Sequence, residues 1–150
     1  MSTKPDLPEA RWVPITEGLL DEVVRVENLA YSHPWTRGNF ADSIRSGYAL
    51  HALMGGDSLI GYYVAMEGVD EVHLLNITVA PKFQGQGWAV MLLDALALWS
   101  RSREAEMLWL EVRESNTRAQ QVYERYGFGR VGRRKDYYPA HAGQREDAVV

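Results

Sequence analysis

The chain has 150 residues, 46% of them apolar and 24% charged, which suits one domain with its own core and leaves too little for two of ordinary size. It contains no cysteine, which excludes disulfides, thiolate metal sites and a covalent thioester on a cysteine. The formal charge of −4 conceals an asymmetry: residues 1–75 hold 5 basic and 11 acidic side chains, and residues 76–150 hold 11 and 9.

Nucleic-acid binders usually make a whole domain basic, so this balance argues against one, and no direct nucleic-acid contact is required. The acidic half would steer a basic peptide and the other half a polyphosphate. The longest runs without Asp, Glu, Lys or Arg are Phe83–Leu93 and Ser46–Gly56, eleven residues each, far short of the ~20 apolar residues of a membrane span. Met1–Ala10 carries Lys4, Asp6, Glu9 and two prolines and lacks the apolar stretch of a secretory signal. The expectation is a cytoplasmic protein with no membrane attachment, with residues 1–10 a disordered tail and 11–150 a single domain.

In chain order, Arg11–Ile15 reads as a short strand, after which Leu19, Leu20, Val23, Val24, Glu27 and Ala30 recur at helical spacing. Pro34 stops that run, and Thr36 is an N-cap candidate for a short helix through Phe40 and Ile44. Tyr48–Met54 and Leu59–Met66 read as strands joined by a Gly55-Gly56-Asp57 hairpin turn, with Val72–Val79 a third. Gly85 and Gly87 precede a long apolar helix, Trp88 to about Ser102, and Met107–Val112 is the next strand. Asn116 caps a helix with Ala119, Val122, Tyr123 and Tyr126 on one face, ended by Gly127. Phe128–Arg134 and Ala148–Val150 would form a final hairpin. This alternation predicts a mixed sheet with helices on its faces.

Two segments carry chemistry. In the first, Ile77 to Ala89, a strand runs through a glycine-bearing loop into a helix start. Free backbone N–H groups and the positive end of the helix dipole favour an anion there, and glycine lets the backbone approach it. Two glycines before a helix are equally compatible with a plain turn. The loop lacks the Gly-Lys-Ser/Thr of a Walker motif and the third glycine of a dinucleotide fingerprint. In the second segment, Glu111 interrupts an alternating strand of Leu108 to Val112. It is either a carboxylate reaching solvent or a half-buried general base. Tyr123 lies on an apolar helix face, where an aromatic usually packs, although its hydroxyl would want a partner.

Together these segments resemble the GNAT superfamily of acetyl-CoA-dependent N-acetyltransferases, whose Arg/Gln-x-x-Gly-x-Gly/Ala loop is matched by Gln84, Gly87 and Ala89. More narrowly the chain is similar to the bacterial ribosomal-protein-alanine N-acetyltransferases, through His33-Pro34-Trp35-Thr36, Leu75-Asn76-Ile77, Leu108 to Arg113 with Ser115-Asn116, Tyr123 with Tyr126-Gly127-Phe128, Tyr137-Tyr138-Pro139 and Arg145-Glu146-Asp147-Ala148. The resemblance implies an α/β (α+β) fold, a mixed and largely antiparallel sheet of about seven strands with about four helices. It also implies acetyl-CoA as donor, its pyrophosphate on Gln84, Gly85, Gln86, Gly87, Trp88 and Ala89, its pantetheine beside the backbone of Ile77 and Val79, and Asn116 close to it. Glu111 would be the base, Tyr123 the acid, and Tyr137 and Tyr138 walls of a peptide groove. Trp88 departs from the usual aliphatic residue.

The implied acceptor is a protein N-terminus, most closely the N-terminal alanine of a basic small-subunit ribosomal protein. Deprotonation at pH 7 costs about 1 kcal/mol for an α-amine and about 4.6 for a lysine, so the α-amine is the easier nucleophile. Without a cysteine, the amine would attack the thioester directly in a ternary complex. Alternatives are a lysine or small-amine acetyltransferase of the same superfamily, and a non-catalytic acyl-CoA sensor. His33, His51, His73 and His141 lack paired metal spacing, so no metal is expected, and His73 is an alternative base. Arg125, Arg130, Arg133, Arg134 and Lys135 form a basic cluster that is either a solvated face or a contact for RNA or phosphate.

Overall fold

The computed structural model describes residues 9–150, so most of the expected tail lies outside the described residues. The chain forms two compact units, divided between Leu108 and Trp109. In the first, β1 (Ala10–Pro14), β2 (Ala49–Gly55), β3 (Ser58–Gly68) and β4 (Glu71–Val79) pair antiparallel in sequence order, with β5 (Met107–Leu110) following β4. The β2–β3 connection is the expected tight hairpin, with Gly55 opposite Ser58 and Gly56 at φ 62°.

Two helices separate β1 from β2. In α1 (Leu20–Ala30) the apolar spacing places Leu20, Val23 and Val26 in the core. It also buries Glu27, which sits at the same spacing. Thr36 caps α2 (Arg37–Arg45) as expected: its hydroxyl accepts from the Asn39 amide at 3.1 Å, and the Asn39 side chain accepts from the Thr36 amide at 2.9 Å. That reciprocal box satisfies two of the amides a helix start leaves over. Phe40 then enters the core against Trp35 and Tyr62, with ring centroids 5.2 and 5.9 Å away.

The run Trp88–Ser102, without internal Gly or Pro, forms α3. Trp88 is buried in the same core as Phe83 and Leu92, which accommodates the bulk that departs from the family pattern. In β4, Leu74 faces Ala65 and Asn76 faces Val64, so Leu75 is an extra residue in a bulge. Such a bulge re-aims the side chains beyond it. Here the side chains of both Asn76 and Thr78 become buried. At Gly61 of β3 an added Cβ would stand 2.6 Å from the Thr78 carbonyl oxygen and 3.0 Å from Leu92, so only glycine lets the strands approach this closely.

In the second unit, β6 (Val112–Arg113), β8 (Arg145–Val149) and β7 (Arg133–Pro139) form a sheet in the order β6-β8-β7, beside α4 (Thr117–Tyr126) in sequence. The expected Met107–Val112 strand is broken at Glu111 into β5 and β6, which brings the strands among the described residues to eight. The expected final hairpin is displaced: β7 begins at Arg133, not Phe128, and β8 already at Arg145. Gly129 and Gly132 weaken a strand over 128–132, and the polar string Arg145-Glu146-Asp147 hides strand residues whose side chains are structural, as described below.

Candidate active site

In the first unit the anion-favouring loop follows β4. The Ala80 amide donates to the Ile60 carbonyl at 2.8 Å. By the two-residue alternation of an antiparallel strand, the polar backbone of Thr78 also faces β3, and that of Ile77 and Val79 faces away. Side chains meet both of those outward carbonyls. The Tyr31 hydroxyl donates to Ile77 O at 2.9 Å, and the Gln84 amide donates to Val79 O at 3.1 Å. Gln84 thereby ties the loop to the strand that precedes it.

Gly85 and Gly87 have φ of 77° and 87°, and apart from their chain neighbours no atom of the described residues lies within 4 Å of a Cβ built on either. Glycine is needed there for its backbone conformation, not for internal packing. Gly87 is the N-cap of α3, and no side chain caps that helix. The first amides of a helix have no intrahelical acceptor, so Trp88, Ala89 and Val90 direct N–H groups and the dipole's positive end out of the loop. The Gln86 side-chain oxygen Oε1 instead accepts from the Trp88 indole N–H at 3.2 Å. This arrangement fits a diphosphate.

In the second unit Glu111 does not reach solvent: its side chain is 5% exposed, and Arg134 Nε stands 3.0 Å from Oε1. The same guanidinium lies over the rings of Trp109 and Tyr137, 5.7 and 5.6 Å from their centroids. Tyr137 and Tyr138 meet edge to face at 4.9 Å, and Arg113 lies 4.6 Å over Tyr138. Burial pushes both phenols above their usual value and the Glu111 charge adds to it, so both stay protonated.

The Arg145-Glu146-Asp147 string braces the segment that carries them. Between Arg134 and Tyr138 the β7–β8 register slips, and Asp136 takes φ 53°. Asp147 accepts from the Asp136 amide at 2.9 Å, while Arg145 donates to the carbonyls of Asp136 and Tyr137, both at 2.8 Å. Glu146 accepts from the Ser115 amide at 2.7 Å and pairs with Arg113 at 3.1 Å, contacts that hold its carboxyl below the usual range. The bulge thus has a polar fastener on each side.

Asn116 is the N-cap of α4, its Oδ1 accepting from the Ala119 amide at 3.1 Å. Replacing it with alanine is expected to cost about 1 kcal/mol of stability, measured by denaturant unfolding; unchanged stability would show that the cap contributes nothing. Gln120 braces the same turn by donating to the carbonyls of Arg113 and Glu114 at 3.0 and 2.9 Å. Tyr123 is half-buried on the apolar face of α4, edge-on to Phe128 at 5.9 Å. Gly127 closes the helix at φ 124°, as expected.

Glu111 and Tyr137 therefore meet at Arg134, with Tyr138 against Tyr137, while Ile77 and Val79 share one strand edge and Gln84 to Ala89 form the loop. The basic cluster is largely neutralised: Arg130 pairs with Glu124, Arg133 with Glu114 and Asp147, and Arg134 with Glu111. Sequence reasoning missed Trp109 as a neighbour of the carboxylate's arginine. It also missed Glu27, whose signal was a charge on the apolar spacing of α1.

A model of the acetyltransferase (GNAT) family matches residues 20–128. The [ribosomal protein bS18]-alanine N-acetyltransferase of Haemophilus ducreyi is 37% identical over 136 residues, spanning 91% of this chain and 94% of that protein. The Escherichia coli K12 protein of the same description is 34% identical over 131 residues, spanning 87% and 88%. The crystal structure of the ribosomal-protein-S18-alanine N-acetyltransferase from Escherichia coli matches with a TM-score of 0.85 at 32% identity, over 94% of this chain and 90% of that one.

Proposed function

The chain belongs to the acetyltransferase (GNAT) family, and we propose that it moves the acetyl group of acetyl-CoA onto a protein's N-terminal α-amine, with the alanine that begins ribosomal protein bS18 as acceptor. The bS18 acceptor is the one stated in the names of relatives 34–37% identical to it. The observation that carries the reading is Glu111, an almost fully buried carboxylate at a strand break, beside an arginine that also lies over Trp109 and Tyr137.

Each residue then has a task. The loop Gln84, Gly85, Gln86, Gly87, Trp88 and Ala89 binds the diphosphate of the donor through amides, and the outward backbone of Ile77 and Val79 lines its pantetheine arm. Asn116 sets the start of α4 and, through that helix, the placement of Tyr123. Glu111 takes the proton of the attacking amine, directly or through one water. Tyr123 supports the leaving sulfur. Full proton transfer from a tyrosine (pKa ~10) to a thiolate (~8.5) is uphill by roughly 2 kcal/mol, so a hydrogen bond serves. Tyr137 and Tyr138 wall the acceptor peptide, and the acidic first half of the chain attracts its basic residues. Such an enzyme works in the cytoplasm, where ribosomal proteins are made.

The test is to incubate the protein with acetyl-CoA and a panel of amines: a basic Ala-initiated peptide, the same peptide blocked at its N-terminus, and a polyamine. Tandem mass spectrometry is expected to place the acetyl group on the α-nitrogen of the unblocked peptide. Acetylation of lysine in the blocked peptide at an equal rate, or faster reaction of the polyamine, would overturn the acceptor.

A further inference from the structure

Glu27 lies in the last turn of α1, is 2% exposed, and is held by neutral donors. Its Oε1 accepts from the Tyr62 hydroxyl at 2.6 Å and from Asn76 Nδ2 at 3.1 Å, and its Oε2 accepts from the Trp35 amide at 3.0 Å. Three elements and one connection converge on it: α1, β3, β4 and the segment between α1 and α2. A carboxylate in such a place costs desolvation energy that an apolar side chain would not, so stability alone is a poor reason for it.

Proton counting shows what the charge does. A carboxylate is acceptor-only, so the Asn76 amide must turn its NH₂ toward Glu27 and its oxygen away. That oxygen accepts from the Thr78 hydroxyl at 2.8 Å, which uses Thr78's single proton; Tyr62, also beside Thr78, spends its own proton on Glu27. Thr78 can then only accept from the Tyr31 hydroxyl, 2.8 Å away. The tyrosine's one proton is left to be shared between Thr78 Oγ1 and the Ile77 carbonyl, 2.9 Å distant. Burial raises the Tyr31 phenol to about 12 and pushes Tyr62 far above its usual value, with the Glu27 charge adding to each, so both remain donors. The Tyr31 ring is 38% exposed although its hydroxyl is turned inward.

We propose that Glu27 is a positioning residue for β4: it fixes the direction of every hydrogen bond from Asn76 through Thr78 to Tyr31, and so holds the Tyr31 hydroxyl in one place between Thr78 and the outward carbonyl of Ile77. This rests on the reading that the Ile77–Val79 edge receives the acyl donor. The carbonyl so capped is withdrawn from competition for the donor's own amides. The edge keeps one geometry, and the segment after α1 is locked to the strand. In Glu27→Gln an NH₂ can face Asn76, its amide can reverse, and the directionality is lost.

Three variants test this. Tyr31→Phe removes one inward-turned hydroxyl, Thr78→Val removes a hydroxyl at equal volume, and Glu27→Gln removes only the charge. With Ile77 carbonyl carbon labelled, its NMR resonance is expected to move upfield in Tyr31→Phe, which loses the donor, downfield in Thr78→Val and Glu27→Gln, where the Tyr31 proton is no longer shared with Thr78, and to stay in place in Thr78→Ser. Affinity for acetyl-CoA by calorimetry should fall about fivefold in each of the three, the worth of one ordinary hydrogen bond, with Tyr31→Phe keeping the circular dichroism spectrum of the parent. An Ile77 resonance unmoved in Glu27→Gln, or parent affinity in both Tyr31→Phe and Thr78→Val, would overturn the proposal. A parent protein that does not bind acetyl-CoA would instead sink the assigned donor site, and the resonance alone would still decide the relay.

Discussion

Glu111→Gln is expected to lower turnover by about 10²-fold or more, the usual worth of a positioned general base, with the KM for acetyl-CoA changed less than about twofold. Glutamine keeps the volume of a side chain that is 5% exposed but cannot take a proton. Arg134 loses its anion, yet it is half exposed and can turn to water, so folding should survive. Tyr123→Phe should lower turnover about tenfold and leave the donor KM equally unaffected, because the ring contact with Phe128 is kept. Steady-state kinetics with an Ala-initiated peptide separates these cases. Unchanged turnover in both variants would remove the base and the acid from the proposal. A raised donor KM at constant turnover would recast Glu111 as a binding group.

The largest effect on stability is expected at Gly61. A Cβ there would meet the Thr78 carbonyl oxygen at 2.6 Å and Leu92 at 3.0 Å, and the first of these is backbone that no rotamer change can move. Gly61→Ala should cost about 2–4 kcal/mol, a fall of roughly 5–15 °C in Tm for a chain of this length. Gly68→Ala is the control, since its nearest neighbour is the flexible side chain of Glu71 at 3.1 Å. Calorimetric melting that finds the two variants alike would show that the strands part at little cost.

The elements easiest to read in the sequence are those set by local chemistry. The uninterrupted apolar run gave α3, Thr36 and Asn116 marked helix starts, and the Gly-Gly-Asp turn marked the β2–β3 hairpin. The terminal strands were misplaced because their signal is not periodic. Arg145, Glu146 and Asp147 read as a solvated polar string, but Arg145 and Asp147 hold a bulge by side chain to backbone bonds across about ten residues of sequence, and Glu146 accepts from the Ser115 amide 31 residues away. The candidate residues were legible individually, Glu111 as a polar outlier in an alternating strand and Gly85 and Gly87 as helix-preceding glycines. Which residues surround the carboxylate was not, because Arg134 reaches Glu111 only once β7 has folded beside β8. Glu27 was visible as a charge on an apolar spacing, but its three partners come from distant parts of the chain.

The stretch Phe83–Leu93 that forms the glycine loop and opens α3 contains no ionisable side chain. A phosphate seated there is met by peptide dipoles in place of ammonium or guanidinium groups. Mobile counterions therefore have little local cation to screen. Grip on a nucleotide through such a cradle depends on the exact course of the main chain, and a single residue that disturbs that course weakens it more than a change in buffer salt does.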